Sequence, residues 1–514
     1  MSLLALRAEA EAELLQRLRA PATLVALLAI LAGSSLLLPR DGRLSSISWT
    51  ALDGRPRAPV FDSTYAAWGS AVLCAVFLVM AAFYLVTGSL RRDRQSGLGV
   101  ILAATPLSSG AFLAGRGLAH AAYLGTLCLL AVGVTLLRFL WFGAGPLRPV
   151  DFVLSFLLFT LPGVLFVSML TLLWEVTPGL RGRAGLVAWF FAGSMILLVL
   201  PLGLPAFDPL GLMRLQDLMR AAIAGQGHSL ALGLMVREVA PERVPWVGPQ
   251  VGPLVAAERL LMLAWCLVPL FAARALFDRF DPARVRPLSP RPARGLPDTR
   301  EAADSQRAVT LAPLAAGQVR PRPWLSLGAE AALIWVCGSW LRWPLLLSAV
   351  AGAVAPARAA TAFLLLLVPV ISEAAARERL AGAEGLLRSL PGLPRWPVTW
   401  KAGSLGLFLL GLALPTTLSL LATAPRAALG LVLGVAATAL LCAALGSLSG
   451  GGKAWSALHV LAWYGAVNRA PEMDFTGGLL APGASPITSA GWLAAGLLLL
   501  GLAAWAEVRR GAGA

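Results

Sequence analysis

Nine apolar runs of about 17–25 residues dominate this sequence, at 21–38, 65–90, 111–137, 151–173, 185–204, 254–274, 401–423, 427–446 and 490–508. Each is long enough to carry a helix across roughly 30 Å of hydrocarbon. Three shorter candidates, at 343–355, 358–375 and 453–467, bring the expected number of spans to about twelve. The composition agrees: 58% of the 514 residues are hydrophobic and 13% are charged, outside the usual range of soluble domains. A helix satisfies its own backbone hydrogen bonds where no water can, so the expectation is an all-α polytopic membrane protein.

The formal net charge of +16 has to be sorted by side of the membrane before it means anything. With the basic inter-span segments inside, most of the 42 Lys and Arg are cytoplasmic, and both termini face the same way. No solvated basic face with interleaved aromatics is visible, so no nucleic acid is expected as a partner. Cys74, Cys128, Cys266, Cys337 and Cys442 sit in apolar surroundings without CxxC spacing and read as small core hydrophobes. The first run follows Glu9, Glu11 and Glu13 and ends in LLLPRDG, which reads as a retained span rather than a cleaved leader.

Between two of the runs lies a basic, semi-polar interval, residues 91–118, and a similar one occupies 376–403. An unchanged offset of 285 pairs Asp93 with Glu378, Arg94 with Arg379, Gly97 with Gly382, Leu102 with Leu387, Pro106 with Pro391 and Arg116 with Lys401. Each copy has a charged opening, a glycine, a short amphipathic turn ending at proline, and a cation at the start of the next run. That is a short helix lying across the membrane face. Residues 2–19 put Leu6, Ala10, Leu14 and Leu18 on one helical side, the pattern of an interfacial helix. It ends in Leu18-Arg19-Ala20-Pro21, and Leu341-Arg342-Trp343-Pro344 stands before the first run of the second half. The expected organisation is two six-helix repeats, 1–274 and 326–514, each with an interfacial helix, joined by an Arg- and Pro-rich cytoplasmic linker at 275–325. Segments 40–64 and 205–253 face outside, the latter with helical periodicity at Leu212, Leu215, Leu218 and Met219.

The spacing of the two intervals resembles the cytoplasmic loop after the second span of ABC-2-type transporter permeases, and the first copy, with its ATPLS and Gly-Arg, matches better. The family often has Glu three residues after the glycine; here Val100 and Gly385 stand there, with an acid displaced to Glu384. The resemblance implies elbow helices on the inner leaflet and coupling helices that dock on two ATP-binding-cassette subunits supplied in trans. It assigns the coupling role to Asp93, Arg94, Gly97, Leu102, Pro106 and Arg116, and to Glu378, Arg379, Gly382, Leu387, Pro391 and Lys401. ATP and Mg would sit on the partner ATPase, with no cofactor in this chain. The implied setting is a bacterial inner membrane in contact with lipid. The implied activity is export of a substrate that the resemblance does not identify.

Other chemistries find less support. Leu448-Ser449-Gly450-Gly451-Gly452-Lys453 imitates ATPase signatures, but a phosphate loop needs GxxxxGK followed by Ser or Thr. Ser447 and Ala454 occupy the first and last of those places. The stretch reads as an inter-span turn. His120, His228 and His459 are far apart in sequence, and no nucleophile elbow, metal-ligand cluster or catalytic carboxylate pair appears, so an enzyme, such as a lipid-dependent glycosyltransferase, is not expected. The rival is an ion-coupled secondary transporter with duplicated six-span halves. Such carriers need intramembrane acids or histidines, and the middles of these runs are nearly free of them.

Overall fold

The computed structural model describes residues 3–36, 44–181, 185–186, 188–189, 191–193, 208–236, 240–280, 323–337, 342–380 and 397–512. Seven helices among them are long and apolar enough to cross a membrane: Ser63–Arg94, Ser109–Phe142, Pro149–Val176, Pro253–Leu276, Pro397–Thr423, Pro425–Ser449 and Pro486–Arg509. The protein is therefore predominantly helical and membrane-embedded. Most of the 185–204 run, and the linker from 281 to 322, lie outside the described residues. The expected short span at 343–355 is a ten-residue helix, Arg342–Ala351, which extends only about 15 Å.

Helix α1 (Leu3–Leu18) is followed at Pro21 by α2 (Pro21–Leu36). Strands β1 (Leu44–Ala51) and β2 (Pro56–Pro59) come next. Helix α3 (Ser63–Phe77) begins where the Asp62 carboxylate accepts from the Tyr65 amide at 2.7 Å. It continues through a π-turn, Leu78–Ala82, into α4 (Phe83–Val86). Gly88, with φ 87°, breaks the helix and starts α5 (Ser89–Gln95); Gly97, with φ 75°, does the same for α6 (Leu98–Ala104). These positive angles suit glycine because it has no Cβ to clash. Helix α7 (Ser109–Phe142) returns across the membrane, and α8 (Pro149–Ser155) leads through a second π-turn into α9 (Leu161–Val176).

Beyond the helices the segments after α2 and after the Leu212–Ala222 helix build a four-stranded sheet, which the all-helical expectation did not include. Its order is β3-β1-β2-β4, with β3 at Gly227–Val236 and β4 at Glu242–Val244. β1 pairs antiparallel with β2 (Trp49 opposite Arg57) and with β3 (Ser48 opposite Ala231), and β2 pairs parallel with β4. Ile47 and Trp49 are fully buried, each contributing about 1.5–3 kcal/mol, and Ile47 joins Tyr65, Trp68 and Met219 in one cluster. The helical reading of 212–219 is matched by a helix at Leu212–Ala222 that buries Leu215 and Met219.

The second part of the chain meets the first through the Lys453–Val467 helix, which packs on α2, the first π-turn and α4. Across the same contact Arg91 donates both terminal nitrogens to Glu373, at 3.1 Å each.

Candidate functional site

The first interval is tied down by charge. Glu175, at the end of α9, turns its carboxylate onto the start of α5 and accepts from the amides of Gly88 (2.5 Å), Ser89 (3.2 Å) and Leu90 (2.7 Å). A carboxylate there satisfies amides that have no partner within the helix and meets the positive end of its dipole. Asp93 is buried against Arg116 at 2.7 Å. Arg116 also binds Glu9 and, at 2.6 Å, Glu13 of α1; Arg92 reaches Glu13 at 2.6 Å. Arg17, 2.8 Å from Glu13, donates to the carbonyls of Leu85 (3.1 Å) and Val86 (2.8 Å), and lies 2.8 Å from Nε2 of His120. Three acids and three arginines thus clasp α1 to the loop. The glycine beside Arg116 permits the approach, since a Cβ on Gly115 would lie 3.0 Å from the Glu9 side chain and 3.1 Å from the Leu6 carbonyl.

Arg94 is held too. One of its nitrogens lies 2.8 Å from both oxygens of Asp278, and its guanidinium stands 5.6 Å from the Phe280 ring centroid. Arg181 adds a contact to Asp278 at 3.3 Å, and Arg279 donates to the carbonyls of Thr105 (2.6 Å) and Leu107 (2.9 Å). Phe277, Asp278, Arg279 and Phe280, just past the Val268–Leu276 helix, therefore form a clamp under α6. Arg279 and Phe280 have φ of 54° and 62°, a costly conformation for side-chain-bearing residues. Gly99 accommodates the clamp, because a Cβ there would lie 2.9 Å from the Phe280 ring.

Asp93, Arg94 and Arg116 consequently face the protein, and Leu102 packs against the Phe112, Phe277 and Phe280 cluster. Gly97 sets the start of α6, and Pro106 stands exposed after its end. Outward-facing are Leu98 (42% exposed), Val100 (66%) and Ile101 (64%), three apolar side chains on a short polar-flanked helix. Sequence reasoning missed both this face and the FDRF clamp. The signal for the clamp was two aromatics bracketing opposite charges directly after a span.

In the second interval Glu378 binds Lys401, as Asp93 binds Arg116. Arg377 binds Glu330 of the Pro323–Cys337 helix at 2.6 Å, as Arg92 binds Glu13 of α1. Burial alone would raise the pKa of Glu378, but the hydrogen bond and charge of Lys401 outweigh it and hold the carboxyl below its ordinary value. Glu13 is shifted the same way, its burial overcome by Arg17, Arg116 and Arg92. Arg379 donates to the Ser447 carbonyl at 3.3 Å. Gly382, Leu387 and Pro391 lie outside the described residues.

Between these parts lies a cavity of about 550 Å³ whose walls include Arg17, Arg91, Arg181, Glu175, Ser372 and Lys453. The Gly450-Gly451-Gly452 turn joins the Pro425–Ser449 and Lys453–Val467 helices there, and the Lys453 amine donates to the Thr87 carbonyl. His459 is bonded to the Leu364 carbonyl at 2.9 Å and stacks near Trp455 and Phe475, a packed residue far from His120. Among the described residues no three His, Cys, Asp or Glu side chains gather as metal ligands. Comparison with protein-family models, with curated proteins and with solved structures found no match to this chain.

Proposed function

We propose that the chain is the permease subunit of an ABC-2-type exporter, with about twelve spans in two six-span halves and two ATP-binding-cassette subunits recruited from the cytoplasm. The observation that carries this reading is the recurrence of one ion-pair arrangement. Asp93 with Arg116 and Glu378 with Lys401 join each loop to its next span. Arg92 with Glu13 and Arg377 with Glu330 join each loop to the helix that opens its half. A basic turn that merely satisfied topology would act by total charge and would not need the same partners twice. An elbow, a loop and a span locked together behave as one body, so a push on the loop reaches the membrane segment.

In this reading the push enters through the apolar face of Leu98, Val100 and Ile101, and ATP and Mg belong to the partner. The alternative of an ion-coupled carrier is disfavoured because, among the described residues, the acids of the long helices lie toward helix ends and are already engaged, Glu175 by the α5 amides and Glu258 by Arg214. Expression of the tagged chain in a bacterial membrane, followed by purification, tests the assignment. An ATPase subunit is expected to copurify, and hydrolysis is expected only in its presence. Vanadate-sensitive hydrolysis by the isolated chain, or proton-driven uptake without any ATPase, would refute it.

A further inference from the structure

The cavity between the two parts has more cationic lining than its own acids balance. Arg17, Arg91, Arg92, Arg94, Arg181 and Lys453 face it, against Glu175 and Glu373. Both acids are engaged, Glu175 by the α5 amides and Glu373 by Arg91. Arg17 and Arg92 share Glu13 with Arg116, Arg92 also lies 3.7 Å from Asp93, and Arg94 and Arg181 share Asp278, so each carboxylate behind the wall is divided among more than one guanidinium. The shortage shows in single atoms. Among the described residues, Nε of Arg17, Nε of Arg181 and Oγ of Ser372 are buried without a hydrogen-bond partner, and all three residues line the cavity. Buried donors in native proteins are almost always satisfied, and an exception points to a missing acceptor.

The glycine turn adds a second element. It brings the N-terminus of the 15-residue Lys453–Val467 helix to the cavity wall, where unpaired amides and the helix dipole favour an anion. Gly452 is pressed so closely on Ser372 that a Cβ would lie 2.3 Å from the Ser372 carbonyl oxygen. The turn and the orphaned hydroxyl are thus parts of one wall. A volume of about 550 Å³ exceeds a bare inorganic ion and accommodates a phosphorylated headgroup.

We propose that this cavity binds a phosphate-bearing anion, either the headgroup of an anionic lipid or a free phosphate. Several acceptor oxygens on one charged centre can answer donors on different walls at once, which a chloride or a single carboxylate cannot. The inference relies on the permease reading only for the side of the membrane on which the cavity opens.

The test is calorimetric titration of the full-length chain, in a neutral maltoside detergent, with dihexanoylphosphatidic acid and with inorganic phosphate. Dioctanoylglycerol is the uncharged control. Binding of the phosphatidic acid alone identifies a lipid headgroup, and comparable binding of phosphate identifies a free anion. Arg181→Gln should weaken binding by about tenfold and Ser372→Ala by about threefold. Removing an unpartnered hydroxyl leaves the fold intact, so the serine variant guards against a misfolded arginine variant. Binding of neither anion above the control, or wild-type affinity in both variants with unchanged melting temperatures, would overturn the proposal. No ATPase is present in the titration, so its failure and a failure of copurification are separate results.

Discussion

Nη2 of Arg116 lies 2.7 Å from Oδ2 of Asp93, while its other two nitrogens reach Glu9 and Glu13. Both members of the pair are almost wholly buried, so removing one leaves the other uncompensated. Arg116→Met should therefore cost about 3–5 kcal/mol of stability. Arg116→Lys should also destabilise, because an ammonium cannot answer three carboxylates in fixed directions as a guanidinium does. Lys401→Met should cost less, since Lys401 and Glu378 keep some access to water. Thermal unfolding in detergent compares the three; equal loss at both sites would show that burial does not set the difference.

The docking prediction follows from which side chains are free. Ile101→Glu should reduce ATPase copurification by about tenfold, the size expected when an apolar contact worth about 1.5–3 kcal/mol is lost, with no change in melting temperature. Arg94→Glu should lower the melting temperature itself, because it sets an acid beside Asp278. Wild-type recovery of the ATPase with Ile101→Glu would remove α6 from the interface.

Acid should loosen the clasp. Glu13 and Glu378 both have folded-state pKa values below their ordinary 4.5, so between the two values the unfolded chain binds more protons. The stability they contribute is present above about pH 4.5 and is lost as pH falls through the folded values. Melting temperatures from pH 7 to pH 3 should fall on the acid side, and Glu378→Gln should flatten that limb. A parallel acid limb in the variant would mean that other carboxylates dominate.

Orientation can be read at two exposed positions. Leu52, 72% exposed at the β1–β2 turn, and Ser96, exposed between α5 and α6, should lie on opposite sides of the membrane. Leu52→Cys should react with an impermeant maleimide in intact cells, and Ser96→Cys only after permeabilisation. The reverse pattern would invert the topology. Ser46, in β1 next to the Leu52 turn, is buried in the sheet and would report nothing.

Apolar run length established, without any coordinates, that this is a helical membrane protein, because a span needs only local sequence to satisfy its backbone. The 285-residue offset marked Asp93, Arg116, Glu378 and Lys401 as corresponding positions for the same reason: spacing is a property of the chain. Which way those side chains face was decided only by tertiary structure. Arg116 turns inward because α1, a hundred residues earlier, delivers Glu9 and Glu13 against Gly115. Arg94 is occupied because Phe277–Phe280 folds beneath α6. The four-stranded sheet needs β1 and β3, about 180 residues apart in the chain, to find each other, and no local period in LSSISWTA announces that partner. Charge pairing and strand pairing are long-range contacts, so the residues that make them look ordinary until the chain has brought both ends together.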